Sequence, residues 1–436
     1  MAPKFQISSI ESYIDEELTI KVIGCLKNSE VTIHATTYDE EEKKFCSYAT
    51  FIADHEGMVN VSSQKPIKGT YNQADSSGLF WSMEHAESKW GDYYVKSSSD
   101  KVSINLVLKA DGKEHDSVTI NRYFYTDGVI KETVQHAQVK GTLFHPKRNG
   151  RYPAVMILSG SDGGMEEHAA ALLASKGYTA FALCYFGAEG VPKDLENIPL
   201  EYFQKATMWL KDHPYVNGNV SLIGYSRGGE LALLLGATFD YYQSIIAGAP
   251  SAYITAGMKN GIFAPVSSWT FNRKALPYIK FTYRFSTMFS ILKNWILKKP
   301  ISYLSIWDNT LKYRKGITEA RIPVENIHVP VMFISGEDDQ LWPSGRYVKM
   351  MEDKLKSTNA TQRNRYLYYE NAGHFLSFPY SFINMPARVF MNVGGGMTMT
   401  FGGSKTANAK AAKDSWARIL QFLEENTGNA RNTWDK

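Results

Sequence analysis

Gly224-Tyr225-Ser226-Arg227-Gly228, with Gly229 following, sets a serine among glycines at the G-x-S-x-G spacing, where small neighbours let a hydroxyl stand clear of a tight turn. The strand-like NVSLIG precedes it and the helix-like GGELALLLGATF follows. Ser226 is therefore expected at the carboxyl edge of a sheet and at a helix N-terminus, whose dipole favours developing negative charge. A serine hydroxyl is a weak nucleophile until a base takes its proton, and that base needs an acid to orient it. Downstream, VPVMFISGEDDQLWPS closes an apolar run with Asp338 and Asp339, and RYLYYENAGHF closes another with His374. His328, the other downstream histidine, precedes its strand and would fall at the opposite edge. Asp339, third after Gly336, is the expected acid; Asp338 is the alternative, or a residue that only hydrogen-bonds the loop. An oxyanion formed in acyl transfer needs two backbone donors. The N–H of Arg227 should be one, and the loop Ser159-Gly160-Ser161-Asp162-Gly163-Gly164 should supply the other, with Ser161 favoured. The bland alternatives are a chance glycine turn, a surface histidine and a flexible loop.

Other chemistries lack residues to carry them. There is no HExxH, no zinc or calcium loop, no GxxxxGK[ST] and no strand-following GxGxxG, so neither a metal nor a cofactor is expected. Cys25, Cys46 and Cys184 are odd in number and widely spaced, which fits a reducing compartment better than a disulfide framework. The chain has 436 residues, 44% hydrophobic and 21% charged, with a net charge of +4. That composition suits a soluble globular protein and excludes disorder, and the small surplus does not indicate a nucleic-acid binder. The N-terminus lacks a signal-like apolar core and no apolar run is long enough for a membrane helix, so a cytoplasmic protein without stable membrane insertion is expected. Nothing specifies an oligomeric state.

The elements that must position these residues fall into two modules. Residues 1–125 read as short β-runs divided by turn residues, among them KVSINLVLKADGKEHDSVTINRYFY with its near period of two, and predict an all-β sandwich. Over 126–436, continuous apolar runs such as AVMILSG and NVSLIGYS alternate with helical segments such as EEHAAALLASKG, which predicts a mostly parallel sheet flanked by helices. Residues 252–325 break that alternation, being rich in aromatics and interrupted by Pro265, Pro277 and Pro300; they read as a cap. Between 255 and 330, twelve basic side chains oppose three acidic ones, so the cap carries +9 and the rest of the chain −5. A basic, aromatic lid suits a substrate with an apolar tail and a polyanionic head, such as an acyl-CoA; a solvated basic face is the alternative. The glycine-rich MNVGGGMTMTFGGSK reads as a flexible loop before a closing helix.

The residues also resemble a known family, the acyl-CoA thioesterases and bile acid-CoA:amino acid N-acyltransferases, and most closely its bacterial members. In the first module the resemblance lies in Gly69-Thr70-Tyr71, Asp75 and Gly78-Leu79-Phe80-Trp81-Ser82-Met83. In the second it lies in PLEYFQKATMWL, VSLIGYSRGGELALLLG, SSWTFNRKALPY, ARIPVENIHVPVMFISGEDDQLWPS, NAGHF and GGSKTANAKAAKDSWARILQFL. It implies a seven-strand sandwich on an α/β-hydrolase domain, a Ser226–Asp339–His374 triad, and coenzyme A as part of the substrate. Members with cysteine as nucleophile are associated with transfer to amino acids and those with serine with hydrolysis, so the resemblance implies an acyl-CoA thioesterase. An acyl-CoA:amino acid N-acyltransferase, a carboxylesterase of the same fold and a noncatalytic role are the alternatives. The chain departs from the family pattern at Arg273, where glycine is common, and in the length of 391–403.

Overall fold

The computed structural model describes residues 2–88, 93–136, 139–313, 317–358 and 363–428. Along Glu30–Tyr38 the buried positions are Val31, Ile33, Ala35 and Thr37, and along Val102–Ala110 they include Val102, Ile104 and Leu106. That period of two turns one face of each strand inward. These strands are neighbours in a seven-stranded sheet ordered Glu11–Tyr13, Lys113–Tyr123, Val102–Ala110, Glu30–Tyr38, Lys44–Ile52, Lys68–Gly69, with Glu84–His85 also pairing on Lys44–Ile52. A three-stranded sheet of Lys4–Ile7, Ile20–Ile23 and Val59–Asn60 shares its core through Ile20, Val22, Val31 and Ile33. The sandwich therefore exceeds the seven strands implied by resemblance, partly because Val59–Asn60, Lys68–Gly69 and Glu84–His85 are two-residue strands that leave little trace in the pattern.

In the second sheet four of the inner strands are buried without a break. Every residue of Tyr152–Leu158, Thr179–Cys184, Ile245–Gly248 and Val331–Gly336 is buried, as a sheet covered on both faces requires. Eight strands lie in the order Val129–His136, Val139–Pro146, Thr179–Cys184, Tyr152–Leu158, Val216–Tyr225, Ile245–Gly248, Val331–Gly336, Arg365–Tyr369. Only Val139–Pro146 runs against its neighbours; the rest pair in parallel. This is the α/β-hydrolase fold. Its parallel strands deliver the loops that follow them to one edge, where such sheets bind ligands.

Side chains from the closing helix Lys405–Thr427 and the segment before it tie the two modules together. Trp416 donates its indole N–H to Asp15 at 3.0 Å, and the Asn384 amide donates to the carbonyls of Ile14 and Glu16 at 2.7 and 2.8 Å. The Gly78–Trp81 turn of helix, the core of one family-like motif, is wholly buried and accepts the Ala387 N–H through Trp81. That motif therefore serves the module interface.

Residues 252–325 lie between the strands Ile245–Gly248 and Val331–Gly336. They form a hairpin of Ala256–Lys259 with Ile262–Ser267, a small sheet joining Trp269–Phe271 to Ile198–Pro199 and Lys274–Ala275, and the helices Phe285–Ile296 and Leu304–Tyr313. Two of the basic residues of this segment, Arg314 and Lys315, lie outside the described residues. The glycine-rich stretch departs from the expected loop. Phe390–Asn392 and Thr398–Thr400 pair as a hairpin whose turn is made by Gly394, Gly395 and Gly396.

Candidate active site

Ser226 sits between the strand Val216–Tyr225 and the helix Arg227–Thr238 with φ 55° and ψ −116°, a conformation that non-glycine residues hold only when the surroundings enforce it. Here the enforcement is mutual contact. A Cβ on Gly224 would overlap the Gly228 carbonyl, and one on Gly228 would come within 2.5 Å of the Leu158 oxygen and 2.6 Å of the Ser159 oxygen. The loop after Tyr152–Leu158 thus crosses directly over the start of the helix, which explains the glycine spacing.

Nε2 of His374 lies 2.9 Å from the Ser226 hydroxyl, and its Nδ1 lies 2.8 Å from Oδ2 of Asp339. All three side chains are buried. The second oxygen of Asp339 accepts the N–H groups of Leu341 and Trp342 at 2.9 and 3.2 Å, so the carboxylate cannot rotate without losing two bonds. Asp338 faces elsewhere: it accepts from the Gln340 amide at 2.7 Å and from the Gly403 N–H at 2.9 Å. His328 is exposed ahead of its strand. The rings of Tyr225, Trp342 and Phe375 meet the imidazole at centroid distances of 5.6, 5.7 and 5.4 Å. Burial pushes the Tyr225 phenol far above its usual range, so it stays protonated, and its oxygen accepts the Leu376 N–H at 3.1 Å.

Ser161 is exposed at the tip of the loop that crosses the helix. The Gly160 N–H is already committed, donating to Tyr380 at 2.6 Å, and that phenol donates to Asp162 at 2.8 Å. The loop is also tied through Tyr185, which donates to the Ser159 carbonyl at 2.7 Å. Arg227 follows the serine as the first residue of the helix.

Three contributions were invisible to sequence reasoning. Arg227 does more than offer a backbone N–H: its buried guanidinium donates to Glu230 at 2.9 Å, to the Ala256 carbonyl at 3.1 Å and to the Ser268 hydroxyl. Glu230 in turn accepts from Thr255 and from the Trp269 indole at 3.0 Å. This pair fastens Thr255, Ala256, Ser268 and Trp269 to the turn that carries Ser226. Asn408, on the closing helix, accepts the Gly373 N–H at 2.8 Å and so fixes the residue before the histidine. The glycine hairpin runs back to the triad loops, where His374 donates its N–H to Phe401 at 2.8 Å. There Gly402 lies so close to the Asp338 carbonyl that a Cβ would overlap it. The one available signal was Arg227 and Glu230 as lone charges in an otherwise apolar helix.

Among the described residues no group of three or more His, Cys, Asp or Glu could hold a metal ion. A hydroxyl, an imidazole and a carboxylate in hydrogen-bonded series, with the carboxylate on the imidazole, is an arrangement that can carry out base-assisted acyl transfer.

Residues 198–429 match the family described as BAAT / Acyl-CoA thioester hydrolase C terminal, and residues 15–136 match the Acyl-CoA thioester hydrolase/BAAT N-terminal region. Acyl-coenzyme A thioesterase 2, mitochondrial, of Mus musculus is 28% identical over 422 residues, covering 95% of this chain and 87% of that protein. Acyl-coenzyme A thioesterase 1 of Homo sapiens is 28% identical, covering 96% of this chain and 95% of that protein. Peroxisomal succinyl-coenzyme A thioesterase of Mus musculus is 26% identical with the same coverage.

Proposed function

The chain belongs to the BAAT/acyl-CoA thioester hydrolase family, and from that premise we propose that it hydrolyses an acyl-CoA to the free acid and coenzyme A through an acyl-enzyme on Ser226. The observation that carries the reading is the unbroken hydrogen-bonded series from Ser226 through His374 to Asp339. In it, His374 Nε2 takes the hydroxyl proton as Oγ of Ser226 attacks the thioester carbonyl, and Asp339 steadies the imidazolium. The oxyanion is held by the backbone N–H groups of Arg227 and Ser161. Collapse breaks the C–S bond, coenzyme A departs with the proton from His374, and water activated by the same imidazole releases the acid. A thiolate leaves readily, so positioning is the main task of the site.

The division at about residue 125 into a sandwich and a catalytic module, with 252–325 as its cap, belongs to the same proposal. So does a cytoplasmic setting, supported by three cysteines that are all unpaired. No helix among the described residues is long and apolar enough to cross a membrane. Substituting Ser226→Ala should lower thiol release from acyl-CoA by about 10⁴-fold or more; near wild-type turnover in that variant overturns the assignment. Running the same assay by mass spectrometry with glycine or taurine present should yield free acid, and amide as the main product would make the protein an acyltransferase instead.

A further inference from the structure

The helix Phe285–Ile296 is mounted with its polar side inward. Phe285, Met288, Phe289, Leu292, Trp295 and Ile296 fall on one stripe, about 120° wide at 100° per residue, and all six are exposed, Phe285 by 87%, Ile296 by 67% and Phe289 by 58%. The inward side carries Thr287, the one buried residue of the helix, whose hydroxyl accepts from the Asn309 amide at 2.7 Å. A helix of a globular protein ordinarily turns such a stripe to the core, and an apolar patch left in solvent marks an interaction site. The display is braced. The Trp295 indole donates to the Gly395 carbonyl at 2.9 Å, and Ile301, just past the helix, exchanges backbone bonds with Thr398 and Thr400 of the glycine hairpin.

Charge identifies what the stripe would meet. No aspartate or glutamate occurs between Asp240 and Asp308, whereas eight lysines and arginines do. Lys293, Lys298 and Lys299 are exposed beside the stripe, and among the described residues none of them pairs with a carboxylate. A second copy of the chain docked face to face would bring these lysines against their own counterparts, a like-charge arrangement that interfaces avoid. We propose that this face docks the protein on an anionic phospholipid bilayer. The apolar stripe lies at the boundary of headgroups and acyl chains, and the lysines sit over lipid phosphates.

Docking is independent of the acyl-transfer reading, so protein carrying Ser226→Ala serves equally for the test. Flotation would be measured with vesicles of phosphatidylcholine alone and of phosphatidylcholine mixed with phosphatidylglycerol. The protein should rise with the mixed vesicles, scarcely with the neutral ones, and be released as salt is raised. The double variant Phe285→Ser/Phe289→Ser should lose at least about tenfold in partitioning. With Ser226 intact, it should hydrolyse a soluble short-chain acyl-CoA at the unaltered rate when no vesicles are present. Lys298→Glu/Lys299→Glu should weaken binding to the mixed vesicles. The proposal is overturned if the unmodified protein does not float with anionic vesicles, or if the double phenylalanine variant floats as well as it does. It is also overturned if the unmodified protein elutes as a dimer that the double variant turns into a monomer, which would give the face to a second copy.

Discussion

Breaking the Arg227–Glu230 pair should cost unequal amounts depending on which partner is removed. The Glu230 carboxylate receives the Arg227 guanidinium at 2.9 Å, the Thr255 N–H at 3.2 Å, the Thr255 hydroxyl at 2.7 Å and the Trp269 indole at 3.0 Å. Without Arg227, three donors remain. Arg227 has poorer insurance: among the described residues it reaches, apart from Glu230, only the Ala256 carbonyl and the Ser268 hydroxyl, and its Nε has no partner there. Both side chains are sealed from water, at 2% and 0% exposure. Stranding a buried charge costs about 3–5 kcal/mol, and one hydrogen bond to a charged group about 1.5–3 kcal/mol. Glu230→Leu strands the guanidinium and orphans Thr255 and Trp269, so it belongs at the upper end, about 4–5 kcal/mol. Arg227→Met leaves a carboxylate with three donors and should cost about 2–3 kcal/mol. The double variant should cost less than the sum, because no charge is then stranded. Urea unfolding of the three variants reads this directly, with the slope unchanged if only stability moves. The Arg227 backbone N–H survives substitution, so folded Arg227→Met should keep kcat/KM within about tenfold of the unmodified protein. Equal losses for the two single variants, or a larger loss for Arg227→Met, would refute the reasoning.

Neighbouring carboxylates should separate in kinetics: Asp339→Asn should lower kcat by about 10⁴-fold through loss of imidazole orientation, whereas Asp338→Asn, which still accepts from the Gly403 N–H, should stay within about tenfold. Gly402→Ala puts a methyl into the Asp338 carbonyl at a φ of 80°; the resulting shift of the acid loop, of order 1 Å, should cost about 100-fold in kcat with secondary structure by circular dichroism intact. Burial first, and the Asp162 charge second, push the Glu166 carboxyl up to about 8 from 4.5. The folded protein then holds a proton that the unfolded chain releases, and unfolding free energy falls as pH climbs from about 4.5 to about 8. Glu166→Gln, which carries no charge, should flatten that decline in urea midpoints measured across the range.

What sequence made legible, and what it hid, divide along one physical line. Ser226, Asp338, Asp339 and His374 each follow an apolar run at a point where the chain must turn, and parallel strands send all such points to one edge. Local pattern therefore brings Ser226, His374 and the two aspartates to one edge, though it leaves the choice between the adjacent aspartates to the family resemblance and to loop convention. The hidden features depend on which surface a distant segment covers. Arg227 and Glu230 read as ordinary charges in a helix's first turn until residues 252–269 fold over them and exclude water. Glycines 402 and 403 read as flexibility, yet they are required because the loops bearing Asp338 and Gly373 cross there with no room for a side chain. Arg273 sits at φ 62°, a left-handed conformation that strains a residue with a side chain and that its place in the sequence does not announce.

The cap makes the same point in reverse. Of its aromatic rings, Phe263, Phe281 and Trp307 are packed, with Trp342 of the loop after Val331–Gly336, in a continuous series of edge contacts ending on His374, with centroids 4.7 to 6.1 Å apart. That series packs without any ring from Phe285–Ile296. An amphipathic period specifies that a stripe exists but carries no information about whether the space beside it is already occupied. Here the core is closed by rings from the hairpin and from Leu304–Tyr313, so the helix can only present its stripe to whatever lies outside. The basic surplus then acts as a second constraint on the same surface. It separates an anionic lipid interface, which both features favour, from a neutral or self-associating one, which only the stripe would allow.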